Sequence, residues 1–146
     1  MDTKFSVAVH VLILISESPN PLNSDQMAGS VGTNASYIRK ILALLKKGEI
    51  VDGHRGISGY SLTVAPEQLT LLQIYQVVME KSNIHLLDIH QNPSDQCIVG
   101  RHIRPALTET FTDIDDVFAR SIAGKTLADC IADIRNMINT TRSEKI

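Results

Sequence analysis

The segment that decides the fold is residues 28–48, AGSVGTNASYIRKILALLKKG. A small residue at Ala28 lets one helix approach the next closely, and Gly32 permits the left-handed backbone of a tight turn between two helices. Beyond this turn, Ile38 and Ile41 open an apolar stripe with helical spacing, which fixes the second helix against the first. The spacing predicts a helix-turn-helix.

The segments on either side complete a winged unit. A first helix ends before Pro19-Asn20-Pro21, because the prolines cannot continue it. After Gly48, two short strands flank a glycine-rich tip, and the capping box Thr70-Leu71-Leu72-Gln73 opens another helix. The predicted elements are helices Lys4–Glu17, Ser24–Val31, Ala35–Lys47 and a fourth to about Lys81, with strands Ile50-Val51 and Tyr60–Val64. The predicted fold class is mainly α with a small β-wing, a winged helix-turn-helix over residues 1–81.

The remaining sequence predicts a sensor or linker loop over residues 82–100 and dimerisation helices over residues 101–146. A long helix is expected from about Arg101 to Ala123, which tolerates Pro105 only in its first turn. A last helix, capped by Thr126, is expected to end around Ile138. Apolar residues of the long helix step by four, four, three and four, as in a coiled coil: Ile103, Leu107, Phe111, Ile114 and Phe118. We expect this stripe to form a homodimer interface rather than to pack only on the first domain, because a long helix beyond a small domain needs a partner surface.

Composition excludes several classes of protein. The chain of 146 residues is 43% hydrophobic and has no Trp, so it buries an aliphatic core. Its two cysteines, Cys97 and Cys130, are far apart in sequence and indicate no disulfide framework. The apolar run Val7–Ile15 is too short to span a bilayer, so we expect a cytoplasmic protein with no membrane partner. Nothing resembles a nucleophile–base pair, a phosphate loop or paired catalytic carboxylates, so we expect no enzyme activity.

Basic residues concentrate in the predicted helix-turn-helix and wing. The net charge is −2, but residues 33–60 hold five Lys or Arg against two Asp or Glu. With the apolar stripe buried, the N-terminal end of Ala35–Lys47 is free, as in a recognition helix that enters the DNA major groove. The slim hairpin tip suits the minor groove. The predicted DNA contacts are Ser36, Tyr37, Arg39 and Lys40 in the helix, with His54 and Arg55 at the tip.

Each of these contacts has an alternative. A basic helix face can simply be solvated, Tyr37 can pack on the first helix, and His54 can be merely exposed. Lys46 and Lys47 lie too far along the helix to read bases and reach phosphates at most.

The wing and the region after it resemble a known family. Four segments carry the resemblance: Arg55-Gly56-Ile57-Ser58-Gly59-Tyr60-Ser61-Leu62, Pro66-Glu67, Leu69-Thr70-Leu71 and Cys97-Ile98-Val99-Gly100. They are similar to segments of the Rrf2 (Rrf-two) family of bacterial regulators, which includes the IscR, NsrR and CymR types. Ser58 replaces the first glycine of the family's usual pair. The resemblance implies a homodimer that binds a palindromic operator in duplex DNA, usually as a repressor of transcription, with Arg55 in the minor groove.

Some members of that family sense signals with an iron–sulphur cluster held by three cysteines, spaced C-x5-C-x5-C, and a further ligand. If Cys97 matches the third cysteine, the earlier two positions fall on His85 and Gln91, and the usual histidine position falls on Gly100. A cluster normally needs several thiolates, so we expect the cluster-free subgroup, with no cofactor and no metal. The loop 82–100 then corresponds to the segment that the family uses for sensing.

Three alternatives remain open at this stage. The crowded residues His85, His90, Cys97 and His102 can bind another metal, although scattered surface residues fit their spacing better. Cys97 is a candidate redox-sensitive thiol, whereas Cys130 lies on an apolar stripe and is expected to be buried and inert. The winged unit can also serve as a protein-interaction module that docks a metabolic enzyme. The basic helix and Arg55 favour DNA over that module; the operator, the regulated genes and the effector are not indicated by the sequence.

Overall fold

A computed structural model describes residues 2–53 and 59–144, and within them the chain has six α-helices and one two-stranded antiparallel sheet. In chain order the elements are α1 (Lys4–Glu17), α2 (Ser24–Val31), α3 (Ala35–Lys47), β1 (Val51–Gly53), β2 (Tyr60–Leu62), a 3₁₀ turn (Pro66–Gln68), α4 (Leu71–Met79), α5 (Ile98–Ala123) and α6 (Leu127–Glu144). The predicted fold class is confirmed. Across the described residues, no helix is long and apolar enough to cross a membrane.

Side-chain hydrogen bonds set the starts of the two helices of the helix-turn-helix. The Asn23 side chain accepts from the Gln26 backbone N–H at 2.8 Å, and the Gln26 side chain accepts from the Asn23 N–H at 2.9 Å. Gly32 ends α2 with a φ of 84°, a left-handed conformation that favours glycine. Asn34 then caps α3 by accepting from the Tyr37 N–H at 2.8 Å. The predicted bounds of α1, α2 and α3 are confirmed.

One aliphatic core joins α1, α3 and α4 to α6. Its buried side chains include Val11 and Leu12 of α1, Ile38, Ile41 and Leu45 of α3, Ile74 and Val78 of α4, and Leu127 and Ile131 of α6. Backbone hydrogen bonds fix the last helix at its start, where the Leu127 N–H donates to the Leu69 carbonyl at 2.8 Å and the Leu71 N–H to the Lys125 carbonyl at 2.9 Å. The last helix is therefore part of the packing of the winged unit.

The strands of the wing differ from their predicted bounds: the first runs over Val51–Gly53 rather than Ile50-Val51, and the second ends at Leu62 rather than Val64. β1 and β2 pair with Val51 opposite Leu62 and Gly53 opposite Tyr60. Ile50 was predicted to begin the first strand, but it is buried in the turn after α3, where its N–H donates to the Leu45 carbonyl at 2.9 Å. That hydrogen bond completes the C-terminal cap of α3, so Ile50 pairs across the hairpin only through its carbonyl, which accepts from the Thr63 N–H at 2.9 Å.

Three predicted bounds in the second half are corrected. α4 ends at Met79 rather than about Lys81, because Glu80 turns the backbone left-handed with a φ of 54°. α5 begins at Ile98 rather than about Arg101, so Pro105 lies in the interior of the helix and not in its first turn. Pro105 cannot donate to the Arg101 carbonyl, but both residues are exposed, so burial imposes no penalty on the missing hydrogen bond.

α6 also continues beyond its predicted end. The Thr126 hydroxyl caps it by accepting from the Asp129 N–H at 3.2 Å, as expected. The helix then runs to Glu144 instead of ending around Ile138. Its polar last turns contain no Gly or Pro, and the Thr140 and Thr141 hydroxyls donate back to the carbonyls one turn earlier, at 2.9 and 3.0 Å. Polarity without a helix breaker does not stop a helix.

Residues 82–97, here called the strap, lie along α5. The Leu86 N–H donates to the Asp115 carboxylate at 3.0 Å, and the Arg104 guanidinium donates to the Ile89 and His90 carbonyls. At the end of the strap the Ser94 carbonyl lies so close to Gly100 that a Cβ there would be 2.2 Å from it. Glycine is therefore required where the strap crosses the first turn of α5.

Candidate nucleic-acid interface

The outer face of α3 is exposed along its whole length. Its exposed residues recur at intervals of three and four: Ser36, Arg39, Lys40, Ala43, Lys46 and Lys47. The opposite face is buried through Ile38, Ile41, Leu42 and Leu45. Three of the four predicted contacts in this helix, Ser36, Arg39 and Lys40, therefore share one solvent-facing surface. We call this set of exposed α3 residues the α3 face.

The positive charge of the α3 face is largely unneutralised. Within residues 2–53 and 59–144, no carboxylate lies within 4.0 Å of the cationic groups of Arg39, Lys40 or Lys46. Lys47 pairs with Glu80 at 3.8 Å, and both side chains are mostly exposed, so this pair is weak. An exposed cationic face without internal counter-ions suits the phosphate backbone of a nucleic acid.

Tyr37 occupies a different position from the other predicted contacts. It is half-buried and packs against the aliphatic core, so only part of its side chain is available at the surface.

Ala43 was missed by the sequence reasoning. It is exposed in the middle of the α3 face, between the Arg39–Lys40 pair and the lysines. A methyl group at this point lets the helix axis approach a groove closely and can contact a thymine methyl. The signal was present in the sequence, because Ala43 lies seven residues after Ser36 and therefore on the same side of the helix.

The tip of the wing, with the predicted contacts His54 and Arg55, lies outside the described residues. Its base is anchored beside the helix-turn-helix. Gly59 has a φ of 121°, and a Cβ at this position would lie 2.5 Å from the Cβ of Pro21, in the turn between α1 and α2. The hairpin therefore leaves the body of the protein at a point set by close backbone packing.

The residues of the predicted interface stripe on α5 differ in their contacts and in their exposure to solvent. Phe118 stacks edge-on against Tyr75 of α4 at 5.7 Å between ring centroids, and Tyr75 stacks against Phe5 of α1 at 5.5 Å. Ile103, Leu107 and Phe111 are half-buried, and Ile114 is 42% exposed. Val117, which was not predicted, is 59% exposed beside Ile114 and is a stronger candidate for contact with another molecule than Phe118.

Cys97 is exposed and occupies the N-cap position of α5. The backbone N–H groups of Gly100 and Val99, at the N-terminus of α5, favour the thiolate and hold the pKa of the Cys97 thiol below its usual range. Cys130 is half-buried, and desolvation together with the Asp133 and Asp129 carboxylates raises the pKa of its thiol. The two thiols are therefore chemically distinct.

The histidines near Cys97 are engaged in separate local contacts. The His85 ring lies 3.1 Å from the Asp88 carboxylate, and Nδ1 of His102 donates to the Ile98 carbonyl at 2.7 Å. Among the residues that the structure describes, no three His, Cys, Asp or Glu side chains are arranged to hold a metal ion.

Comparison with known proteins identifies the family. The profile of the Rrf2 family, described as "Iron-dependent Transcriptional regulator", matches residues 1–133. YwnA of Bacillus subtilis, which is named as an HTH-type transcriptional regulator, is 35% identical over 129 residues, covering 88% of this chain and 95% of YwnA.

The iron dependence in the family description does not fit the donors of this chain. The sequence has two cysteines, and they are placed on different helices, one exposed at the start of α5 and one packed against the core from α6. An iron–sulphur cluster needs a set of thiolates on one site.

Two solved structures confirm the fold. A crystal structure of a protein described as DNA-binding is 33% identical, with a TM-score of 0.70 over 88% of this chain and 98% of the other. A transcriptional-regulator structure from Lactobacillus plantarum is 27% identical, with a TM-score of 0.74 over 99% of this chain and 98% of the other. The winged helix-turn-helix, its exposed cationic helix and these matches lead to one conclusion: the chain belongs to the Rrf2 family, whose members are DNA-binding transcriptional regulators and not enzymes.

Proposed function

We propose that this protein is a homodimeric, cytoplasmic repressor that binds a palindromic operator through the α3 face and works without an iron–sulphur cluster. The observation that carries this proposal is the α3 face itself, where Arg39, Lys40 and Lys46 have no carboxylate partner within 4.0 Å in the described residues. When such a face binds DNA, the release of counter-ions from the phosphates makes the free energy of binding more favourable.

Position along α3 assigns different roles to its residues. The first turns of a recognition helix reach base edges, so Arg39 is proposed to pair with guanine and Ser36 to donate to a base or phosphate. Ala43 sets the closeness of approach, and Lys46 neutralises a phosphate. The wing residues Arg55 and His54 are proposed, on the sequence argument alone, to reach the minor groove and a phosphate.

The proposed dimer rests on the exposed part of α5. This helix of 26 residues is about 39 Å long, and its exposed apolar residues Ile114 and Val117 form a groove with Leu86 of the strap. A second copy of the chain that pairs through this groove places two α3 faces in the symmetric arrangement that a palindrome requires. Val117→Asp should shift the mass measured by light scattering toward the monomer, whereas Val99→Asp, an equally exposed valine outside the groove, should not.

The α3 face is tested by fluorescence anisotropy with DNA from upstream of the protein's own gene. The variant Arg39→Ala/Lys40→Ala should lose at least tenfold in affinity, since one base-contacting arginine contributes about 1–3 kcal/mol. It should also reduce the slope of log affinity against log salt by about one for each phosphate contact removed.

The matched control is Lys125→Ala/Arg142→Ala. It removes the same charge from two exposed positions, one just before α6 and one near its C-terminal end. Equal binding by the two double variants would refute the assignment of the α3 face. Unchanged DNA binding in every variant, combined with salt-insensitive capture of a partner protein, would favour the protein-interaction module instead.

A further inference from the structure

A cavity of about 340 Å³ lies between the strap and α5, on a part of the molecule that DNA binding does not use. Residues 85–91 of the strap form one wall. The other wall is a single face of α5, which contributes Arg104, Phe111 and Asp115 among others. The cavity therefore combines charged groups at its ends with an aromatic ring between them.

Arg104 is the unneutralised charge of this cavity. The residue is half-buried, and no carboxylate of the described residues lies within 4.0 Å of its guanidinium. One nitrogen, Nη1, donates to the Ile89 and His90 carbonyls, which leaves Nε and Nη2 without an acceptor in the described part of the chain. A part-buried guanidinium with spare donors favours an anion with two oxygens, because the planar fork matches a carboxylate.

The acidic groups of the cavity are engaged by His85 and by the Leu86 N–H, not by Arg104. Asp115 accepts from the Leu86 N–H at 3.0 Å and lies 3.9 Å from His85, and His85 is 3.1 Å from Asp88. Asp88 is almost fully exposed, so its charge is screened by water. Asp115 is eleven residues from Arg104 on the same helix, about 16 Å along its axis, and does not neutralise it.

The middle of the cavity is suited to an apolar body. Phe111 and Leu87 line it, and the Gln91 amide is a neutral polar group near the strap end. We propose that this cavity binds a small organic monocarboxylate, with the anion on Arg104 and the apolar body against Phe111 and Leu87. A monocarboxylate is the ligand class we infer, because the guanidinium of Arg104 has spare donors and lies beside the aromatic wall formed by Phe111.

The cavity remains open in the proposed dimer. At 100° per residue, its α5 residues centre about 140° around the helix from the exposed pair Ile114 and Val117. A ligand here would touch the strap and α5 at once, which is where an effector of a DNA-binding dimer would act. Binding itself is independent of the proposed DNA contacts and is measured without DNA.

The test is a fluorine-19 NMR titration of the full chain with 4-fluorobenzoate, in parallel with the neutral 4-fluorobenzamide. A saturable shift of the carboxylate is expected, with a dissociation constant on the order of 1 mM for a ligand of this size, and at least tenfold weaker binding of the amide. No saturable shift, or equal binding of acid and amide, would overturn the proposal.

Two matched variants locate the site. Gln91→Glu places a carboxylate in the cavity without touching the contacts that Arg104 makes to the strap, and it should weaken 4-fluorobenzoate at least tenfold. Gln96→Glu makes the same change at another exposed strap residue, which lies outside the cavity lining, and should leave affinity within about twofold. Equal weakening in both variants, or in neither, would show that the ligand binds elsewhere. Arg104→Lys, which keeps the charge but not the fork, should bind more weakly than the wild type.

Discussion

The substitution Leu127→Ala tests whether α6 folds together with the winged helix as one cooperative unit. The Leu127 side chain is fully buried in the core that α1, α3 and α4 share, although the sequence groups residues 101–146 as dimerisation helices. Replacing a buried leucine with alanine removes apolar contact and leaves a cavity, which costs about 2.7–5.0 kcal/mol. We expect Leu127→Ala to fall in this range, because α1 and α4 are fixed by further core contacts and cannot collapse into the space.

The assay is equilibrium unfolding in urea at one fixed protein concentration, followed by both circular dichroism and Tyr fluorescence. The control is Ile134→Ala, two turns later in α6, where the side chain is 39% exposed and truncation should cost far less. Leu127→Ala should lower the midpoint while a single transition is retained by both probes. Equal losses in the two variants, or separate transitions for the two probes, would refute the assignment of α6 to the winged core.

Three further predictions follow from local chemistry. Glu49→Gly should raise the free energy of unfolding by about 0.5–1 kcal/mol in thermal melts, because Glu49 has a φ of 61° and glycine adopts that conformation without strain; a loss would contradict this. Iodoacetamide followed by mass spectrometry should label Cys97 before Cys130 at every pH below that at which both thiols ionise, since the pKa of Cys97 is lowered and that of Cys130 is raised. The Arg135 hydrogen bonds lower the pKa of Glu17, so their stabilisation is complete above the unfolded-state pKa of Glu17 and is lost as pH falls through the lowered value. Glu17→Gln should therefore destabilise the protein at neutral pH and converge with wild type in acid, and a constant difference would contradict the pairing.

Local signals account for what the sequence predicted well. Asn23 with Gln26 starts α2, Gly32 ends it and Asn34 starts α3, all through contacts within four residues, so this pattern is readable without the fold. The outer side of α3 is equally readable, because burial of Ile38 and Ile41 fixes which residues face solvent.

The errors arise where backbone contacts decide the conformation and the residue pattern does not show them. Ile50 has strand-like neighbours, yet its N–H closes the cap of α3. Glu80 looks like a continuing helix residue but turns left-handed after Met79. The strap shows no periodicity at all, since its conformation depends on contacts with α5: Arg104 lies 15 residues after Ile89, and Asp115 lies 29 residues after Leu86. Neither the cavity nor the charge of Arg104 within it was therefore predictable.

The α5 stripe shows why periodicity identifies an apolar face but not its partner. The steps of three and four residues correctly indicate a helix that must cover several apolar side chains. In the structure, Phe118 contacts Tyr75 of its own chain, Phe111 lines the strap cavity and Ile114 is exposed beside Val117. One helix thus provides an internal contact, a proposed ligand wall and a proposed dimer surface, so a ligand against Phe111 would contact the same helix through which the proposed dimer pairs.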